Sequence, residues 1–228
     1  MIARRLAPLT LDSLGDLAPT CRRCVFWELD PVAAGEAERL GDTAFEKEAW
    51  LSAALLEWGS VGRIAYVDSV PAGYLMYGPP HLVPRSIAFP TAPVSADAVL
   101  LMTGRVLPEF AGGGLGRMLL QGVAKDLTRR GVRAIEAYGR MTPGPAEALT
   151  PAERALPIAG ECVLPADYLL SVGFKTVRPH HRHPRLRLDL RTALSWREDV
   201  EQALERLLGS VRSPVLTHGL RTVERTRP

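Results

Sequence analysis

The stretch Val106-Leu107-Pro108-Glu109-Phe110-Ala111-Gly112-Gly113-Gly114-Leu115-Gly116-Arg117 constrains this chain more than any other. Its four glycines sit where one periodicity gives way to another. Before them, Val99 through Val106 is strongly apolar and predicts a strand. After them, Leu115, Leu119, Val123 and Leu127 recur every four residues, with Arg117, Gln121, Lys125 and Arg129 on other faces. That spacing predicts a helix over 115–130. Gly131 is placed to cap the helix in a left-handed conformation, and Val132–Tyr138 predicts the next strand. Strand, turn, helix, strand is a βαβ unit, so its two strands should be parallel. The first turn of a helix carries unpaired N–H groups and a partial positive charge. Glycines ahead of it let a ligand approach the backbone closely, and the combination makes a cradle for pyrophosphate. Two other phosphate loops fail against the same residues. The dinucleotide pattern G-x-G-x-x-G, started at Gly112, needs glycine where Arg117 stands; started at Gly114, it meets Leu119. The chain has no Gly-Lys pair, which excludes a P-loop.

The rest of the chain surrounds this unit with further elements. Residues 2–7 predict a first strand. Leu40, Ala44, Leu51, Leu55 and Trp58 predict one helix over 36–58. Arg63–Val67 and Gly73–Tyr77 predict a hairpin joined by residues 68–72. Pro79, Pro80, Pro84, Pro90 and Pro93 predict an irregular connection. Residues 141–160 read as loop, Ala166–Val172 as a short helix ended by Gly173, and 174–177 and 186–190 as the last strands. Ser195–Leu208 predicts a final helix with Ser195 as its N-cap, followed by a patternless tail from Gly209. With 46% hydrophobic residues in 228, there is material for a sizeable core. A net charge of +3 is too weak to argue for a nucleic-acid partner. No apolar run approaches the roughly 18 residues of a membrane span. Three cysteines do not make a secreted disulfide framework, so a cytoplasmic protein with reduced thiols is expected.

The glycine turn resembles the signature of the GNAT superfamily of N-acyltransferases, Gln/Arg-x-x-Gly-x-Gly/Ala before a helix. The match runs over Ala111-Gly112-Gly113-Gly114-Leu115-Gly116. The hairpin ending Ala72-Gly73-Tyr74-Leu75 and the segment Tyr168-Leu169-Leu170-Ser171-Val172-Gly173-Phe174 also look like that family. The resemblance covers most of residues 1–190, with 191–228 as a C-terminal helix and tail packed on or extending from that domain. It implies an α/β (α+β) fold with a mixed, V-splayed β-sheet flanked by helices. Acetyl-CoA or another acyl-CoA would lie as co-substrate between the strands at 99–107 and 132–138. The backbone of Arg105, Val106 and Leu107 would bind the pantetheine arm. Gly112, Gly113, Gly114, Leu115, Gly116 and Arg117 would hold the pyrophosphate. A small-molecule or protein amine would attack the thioester directly, with no metal, nucleic acid or membrane involved; a homodimer is common in the family. Two departures stand out: Ala111 replaces the usual Gln or Arg, and Leu169 stands where many members have tyrosine.

Acyl transfer needs a neutral amine, a donor for the oxyanion and an acid for the thiolate. Tyr168 is one residue before the usual tyrosine position, about 100° away around a helix, and Tyr138 is its rival as the acid. Glu28, Glu136 and Glu161 are the base candidates; Glu136 in mid-strand must face a cavity or solvent. Phe26 and Trp27 are either acceptor-pocket walls or core. Cys21-Arg-Arg-Cys24 lacks a second Cys pair for zinc. Cys162 is a nucleophile candidate for a ping-pong route. His180-His181-Arg182-His183 with Arg185, Arg187 and Arg191 reads as a solvated basic face, or as a contact for phosphates or an acidic acceptor. The alternative to an active enzyme is a catalytically silent GNAT-fold module that binds acyl-CoA as a sensor or partner subunit.

Overall fold

The computed structural model describes residues 3–141 and 162–190. Expectations on residue 2, on residues 142–160 of the predicted 141–160 loop, on Glu161, on the Ser195–Leu208 helix and on the tail lie outside the described residues. So does the segment 191–228. The strands are β1 (Arg4–Pro8), β2 (Gly62–Val67), β3 (Val70–Gly78), β4 (Ala98–Val106), β5 (Ala134–Tyr138), β6 (Lys175–Arg178) and β7 (Arg185–Asp189). The helices are α1 (Pro19–Arg22), α2 (Pro31–Leu40), α3 (Thr43–Glu57), α4 (Leu115–Arg129) and α5 (Ala166–Ser171). One mixed sheet runs β1-β2-β3-β4-β5-β7-β6, and only β4 and β5 are parallel neighbours. This is the predicted βαβ unit set within an antiparallel frame.

Two expectations change. The single helix over 36–58 is two helices. Asp30 caps α2 by accepting from the N–H groups of Val32 (2.8 Å) and Ala33 (3.1 Å), and Gly41 (φ +81°) ends it in the left-handed region. The hairpin turn is also tighter than residues 68–72. Asp68 (φ 47°) and Ser69 (φ 70°) both adopt left-handed conformations, so two residues suffice and β3 starts at Val70. Part of the Pro-rich connection coils into short 3-10 turns at Pro80–Leu82 and Pro84–Ala88.

Alternation along the strands divides the core between the two faces of the sheet. Tyr74, Met76, Leu100, Met102, Ala134 and Tyr138 join Leu51 and Ala54 of α3 on one face. Leu75, Tyr77, Val99, Leu101, Ile135 and Ala137 join Leu119, Val123 and Leu127 of α4 and Leu169 of α5 on the other.

Strands β4 and β5 pair only at Ala98↔Ala134, Val99↔Ile135 and Leu100↔Glu136. Immediately beyond, the register between β3 and β4 shifts: Tyr77 faces Leu101 and Met76 faces Thr103, leaving Met102 as an extra residue. Such a bulge bends its strand and increases its twist. It sits where β4 turns away from β5, and so gives the splay a local cause. From there to Val106 one edge of β4 has no strand partner among the described residues and faces a gap.

Candidate active site

The glycine turn comes first. Ala111 to Gly114 are exposed, and Gly112 (φ +77°) and Gly114 (φ +76°) flank Gly113 in left-handed conformations just before α4. A Cβ at Gly112 or Gly114 would meet no heavy atom of the described residues within 4 Å, so the space above the turn is open. Backbone N–H groups in such a turn converge on a concavity suited to an anion, and the 15-residue α4 adds its positive end. Arg4 of β1 ties the turn down, donating from Nη1 to the Gly113 carbonyl at 2.7 Å. Leu115 is buried, anchoring the helix start, while Gly116 is partly covered and Arg117 exposed.

Along the gap, the three residues named for the pantetheine arm are not equivalent. The Leu107 N–H donates to the Ala72 carbonyl at 2.9 Å, back toward β3. Backbone groups alternate sides along a strand, and Tyr74 opposes Arg105 while Gly73 opposes Val106. Arg105 therefore also turns its N–H toward β3, and of the three only Val106 turns its N–H and C=O to the gap.

The structure does not bring the three catalytic candidates together. Tyr168 is on the α4 side of the sheet. A Cβ added at Gly116 would lie 2.8 Å from the Tyr168 hydroxyl, so this ring covers the first turn of α4 beside the cradle. Burial raises its pKa. Glu28 and Glu136 are on the opposite face, and both are engaged. Glu28 is 2% exposed and forms a buried ion pair with Lys47 of α3, whose ammonium also donates to the Cys24 carbonyl at 3.1 Å. Glu136 is 0% exposed, so the solvent-facing alternative for it is replaced by a buried one. It accepts from Arg185 Nη1 (3.1 Å), Arg187 Nη1 (3.2 Å) and the Ser95 N–H (3.1 Å).

At the mouth of the gap, on the Glu28 face, aromatic residues gather. Tyr138 ends β5 and stacks on Phe89 at 4.2 Å and 6°. Trp27 stacks on Phe89 at 5.2 Å, and Phe26 and His183 meet Phe89 edge-on. Arg85, also buried, sets its guanidinium over Phe26 at 4.4 Å. The Tyr138 hydroxyl is buried with no hydrogen-bond partner among the described residues. Burial pushes its pKa up to about 12. Burial also lowers the pKa of His183. Phe89 carried no signal in the sequence, since it falls in the Pro-rich connection.

All three cysteines come to this face. Cys24 and Cys162 sulfurs are 3.2 Å apart, and the Trp27 indole N–H donates to the Cys162 carbonyl at 2.9 Å. The hydrogen bond from the Cys162 thiol pushes Cys24 down to about 7, against the upward pull of its burial, and Cys162 is pushed up in turn. Tyr74, whose pKa is raised first by burial and then by Cys21, also feels Cys162. No group of three or more His, Cys, Asp or Glu residues suited to a metal occurs among the described residues.

A mixed seven-stranded sheet, parted between its parallel strands and opening beside a glycine cradle, is the GNAT fold. The sequence matches no protein-family model and no curated protein. The structure is similar to PaiA N-acetyltransferase from Thermoplasma acidophilum, solved with coenzyme A, at a TM-score of 0.50 and 12% identity. That likeness covers 82% of this chain and 99% of the other. An N-acetyltransferase from Staphylococcus aureus Mu50 aligns at 0.48 and 13% identity, over 82% and 99%. The loading GNATL domain of CurA from Lyngbya majuscula aligns at 0.48 and 16%, over 83% and 99%. At these identities the likeness is one of fold.

Proposed function

We propose that this protein transfers an acyl group, acetyl first among them, from acyl-CoA to an amine. The observation that carries the reading is the open, left-handed Gly112–Gly114 turn at the start of α4, beside the unpaired edge of β4. The turn would take the pyrophosphate, and Val106 the pantetheine arm by strand-like hydrogen bonds. The thioester would reach the aromatic mouth through the gap. That the structurally similar PaiA enzyme was solved with coenzyme A supports the reading.

On this reading the acceptor enters on the face of Trp27, Phe89 and Tyr138. Neither Glu28 nor Glu136 is free to take its proton, so in direct attack the amine must arrive neutral. The same occupied carboxylates favour the second reading, a silent module that binds acyl-CoA without turnover.

Isothermal titration of acetyl-CoA into the wild type and a Gly114→Glu variant tests the cradle. Binding by the wild type that the variant loses by more than a hundredfold is expected, because a carboxylate would project into the anion site. Equal binding by both would place the ligand elsewhere. CoA thiol release with pooled amines then separates enzyme from module, since binding without release selects the module.

A further inference from the structure

The thiols stand where the sheet has opened. Cys162 lies close to the segment that runs beside the end of β5: the Arg140 N–H donates to the Leu164 carbonyl at 2.8 Å, and the Ala166 N–H donates to the Arg140 carbonyl at 2.9 Å. On the other side of the gap, Tyr74 opposes Arg105 of β4 and feels both Cys21 and Cys162. Cys24 is half-buried, with its sulfur 3.2 Å from that of Cys162, and belongs to the turn that supplies Phe26 and Trp27 to the mouth. A thioester reaching the mouth between β4 and β5 would enter among these sulfurs. The carboxylates there are paired, whereas a thiolate needs no base. Lys47 donates to the Cys24 carbonyl at 3.1 Å and fixes the backbone there, while its charge is matched by Glu28.

We infer that Cys24 accepts the acyl group from acyl-CoA as a thioester before the amine does, an inference that rests on the acyl-CoA reading above. The Cys24 thiolate attacks the thioester carbonyl carbon and a new C–S bond forms. The bond to the CoA sulfur breaks, and CoA thiolate leaves with the electron pair and takes a proton from solvent. An amine then attacks acyl-Cys24. The amide C–N bond forms, the Cys24 thiolate departs with its pair, and the amine proton goes to solvent. No oxidant or reductant enters the balance. The hydrogen bond with Cys162 lowers the pKa of Cys24, and a thiol of lowered pKa is more readily thiolate and departs more readily than an ordinary thiol. Cys162, the more buried of the two, serves as the hydrogen-bond partner of Cys24 and not as the nucleophile.

The test is intact-mass analysis of the full chain mixed with acetyl-CoA and no amine, under a phosphine reductant that keeps the sulfurs as thiols. One acetyl increment per chain is expected, with a stoichiometric burst of CoA, removed by neutral hydroxylamine. Trypsin cuts after Arg23 and so separates Cys24 from Cys21, and the acetyl group should lie on the Cys24 peptide. Cys24→Ser should lose the adduct while titration still shows acetyl-CoA bound. In Cys162→Ala the burst should remain, but its pH midpoint should move up from about 7 toward the ordinary thiol range, because the donor that stabilises the thiolate is gone. Acetyl-CoA binding with no adduct, or a hydroxylamine-stable adduct on lysine, overturns the inference and leaves the acyl-CoA reading standing. Absence of binding by the wild type removes both.

Discussion

Tyr138 closes β5 with a hydroxyl that is buried, unpaired among the described residues and held protonated well past neutrality. Leaving a buried donor unsatisfied costs about 1–3 kcal/mol. If nothing offset that cost, removing the hydroxyl should help the fold. Its ring would still stack on Phe89 and Trp27 without it. A donor at the mouth of the gap is what a thioester carbonyl needs as it gathers negative charge. Tyr138→Phe is therefore expected to keep or raise the melting temperature while lowering turnover about a hundredfold, with acetyl-CoA affinity unchanged. Tyr168→Phe should show the reverse pattern, near-normal turnover at saturation with altered CoA affinity, since that hydroxyl lies over Gly116 beside the cradle. A Tyr138→Phe variant that melts early would mean the hydroxyl has a structural partner, and a fully active one would remove its role in the chemistry.

At the scale of elements, Glu136 is a clasp. It faces Leu100 of β4 at the last paired position and Arg187 of β7 across the antiparallel ladder, and it receives both Arg185 and Arg187. Arg187 also holds Asp97 through two hydrogen bonds, at 2.9 and 3.0 Å, just before β4. That contact lowers the pKa of Asp97 and raises that of Arg187. Removing one member of a buried pair leaves the other charge uncompensated, at roughly 3–5 kcal/mol. Glu136→Ala should lower stability in urea by about 3 kcal/mol. A loss below ~1 kcal/mol would show that water reaches the two guanidinium groups. This clasp also marks the limit of sequence reading. The glycine turn, α4 and its flanking strands were legible because their signals are local: left-handed glycines, a four-residue apolar repeat and a capping Gly131. The partners of Glu136 and Glu28 were not, because Arg187 and Lys47 reach them only through strand register and helix packing. The inequivalence of Arg105, Val106 and Leu107 was hidden for the same reason, since it depends on which edge of β4 meets β3. The break at Gly41 was a local signal, and the apolar spacing on both sides of it masked the end of α2.

For the molecule as a whole, β1 to β4 form one antiparallel block and β5, β7 and β6 another, and along the sheet the two pair through only three residue pairs, with the Glu136 clasp beside them. A ligand lying in the gap would supply the missing contacts of β4 beyond Leu101 and join the blocks more firmly. Binding to the folded state alone stabilises it by about 2.7 kcal/mol at a hundredfold excess over Kd. In a sheet joined so narrowly that gain should not be spread evenly. Hydrogen exchange with saturating CoA should slow most at Gly104 and Val106, whose N–H groups face the gap, and at the Gly112–Gly116 turn. The β1–β2 pairing, already complete from Arg4↔Val67 to Pro8↔Arg63, should slow only with the global rise in stability. Uniform slowing across all seven strands would argue that the gap is not the seat of the ligand. No slowing at the turn, with a thermal shift still present, would place CoA away from the cradle.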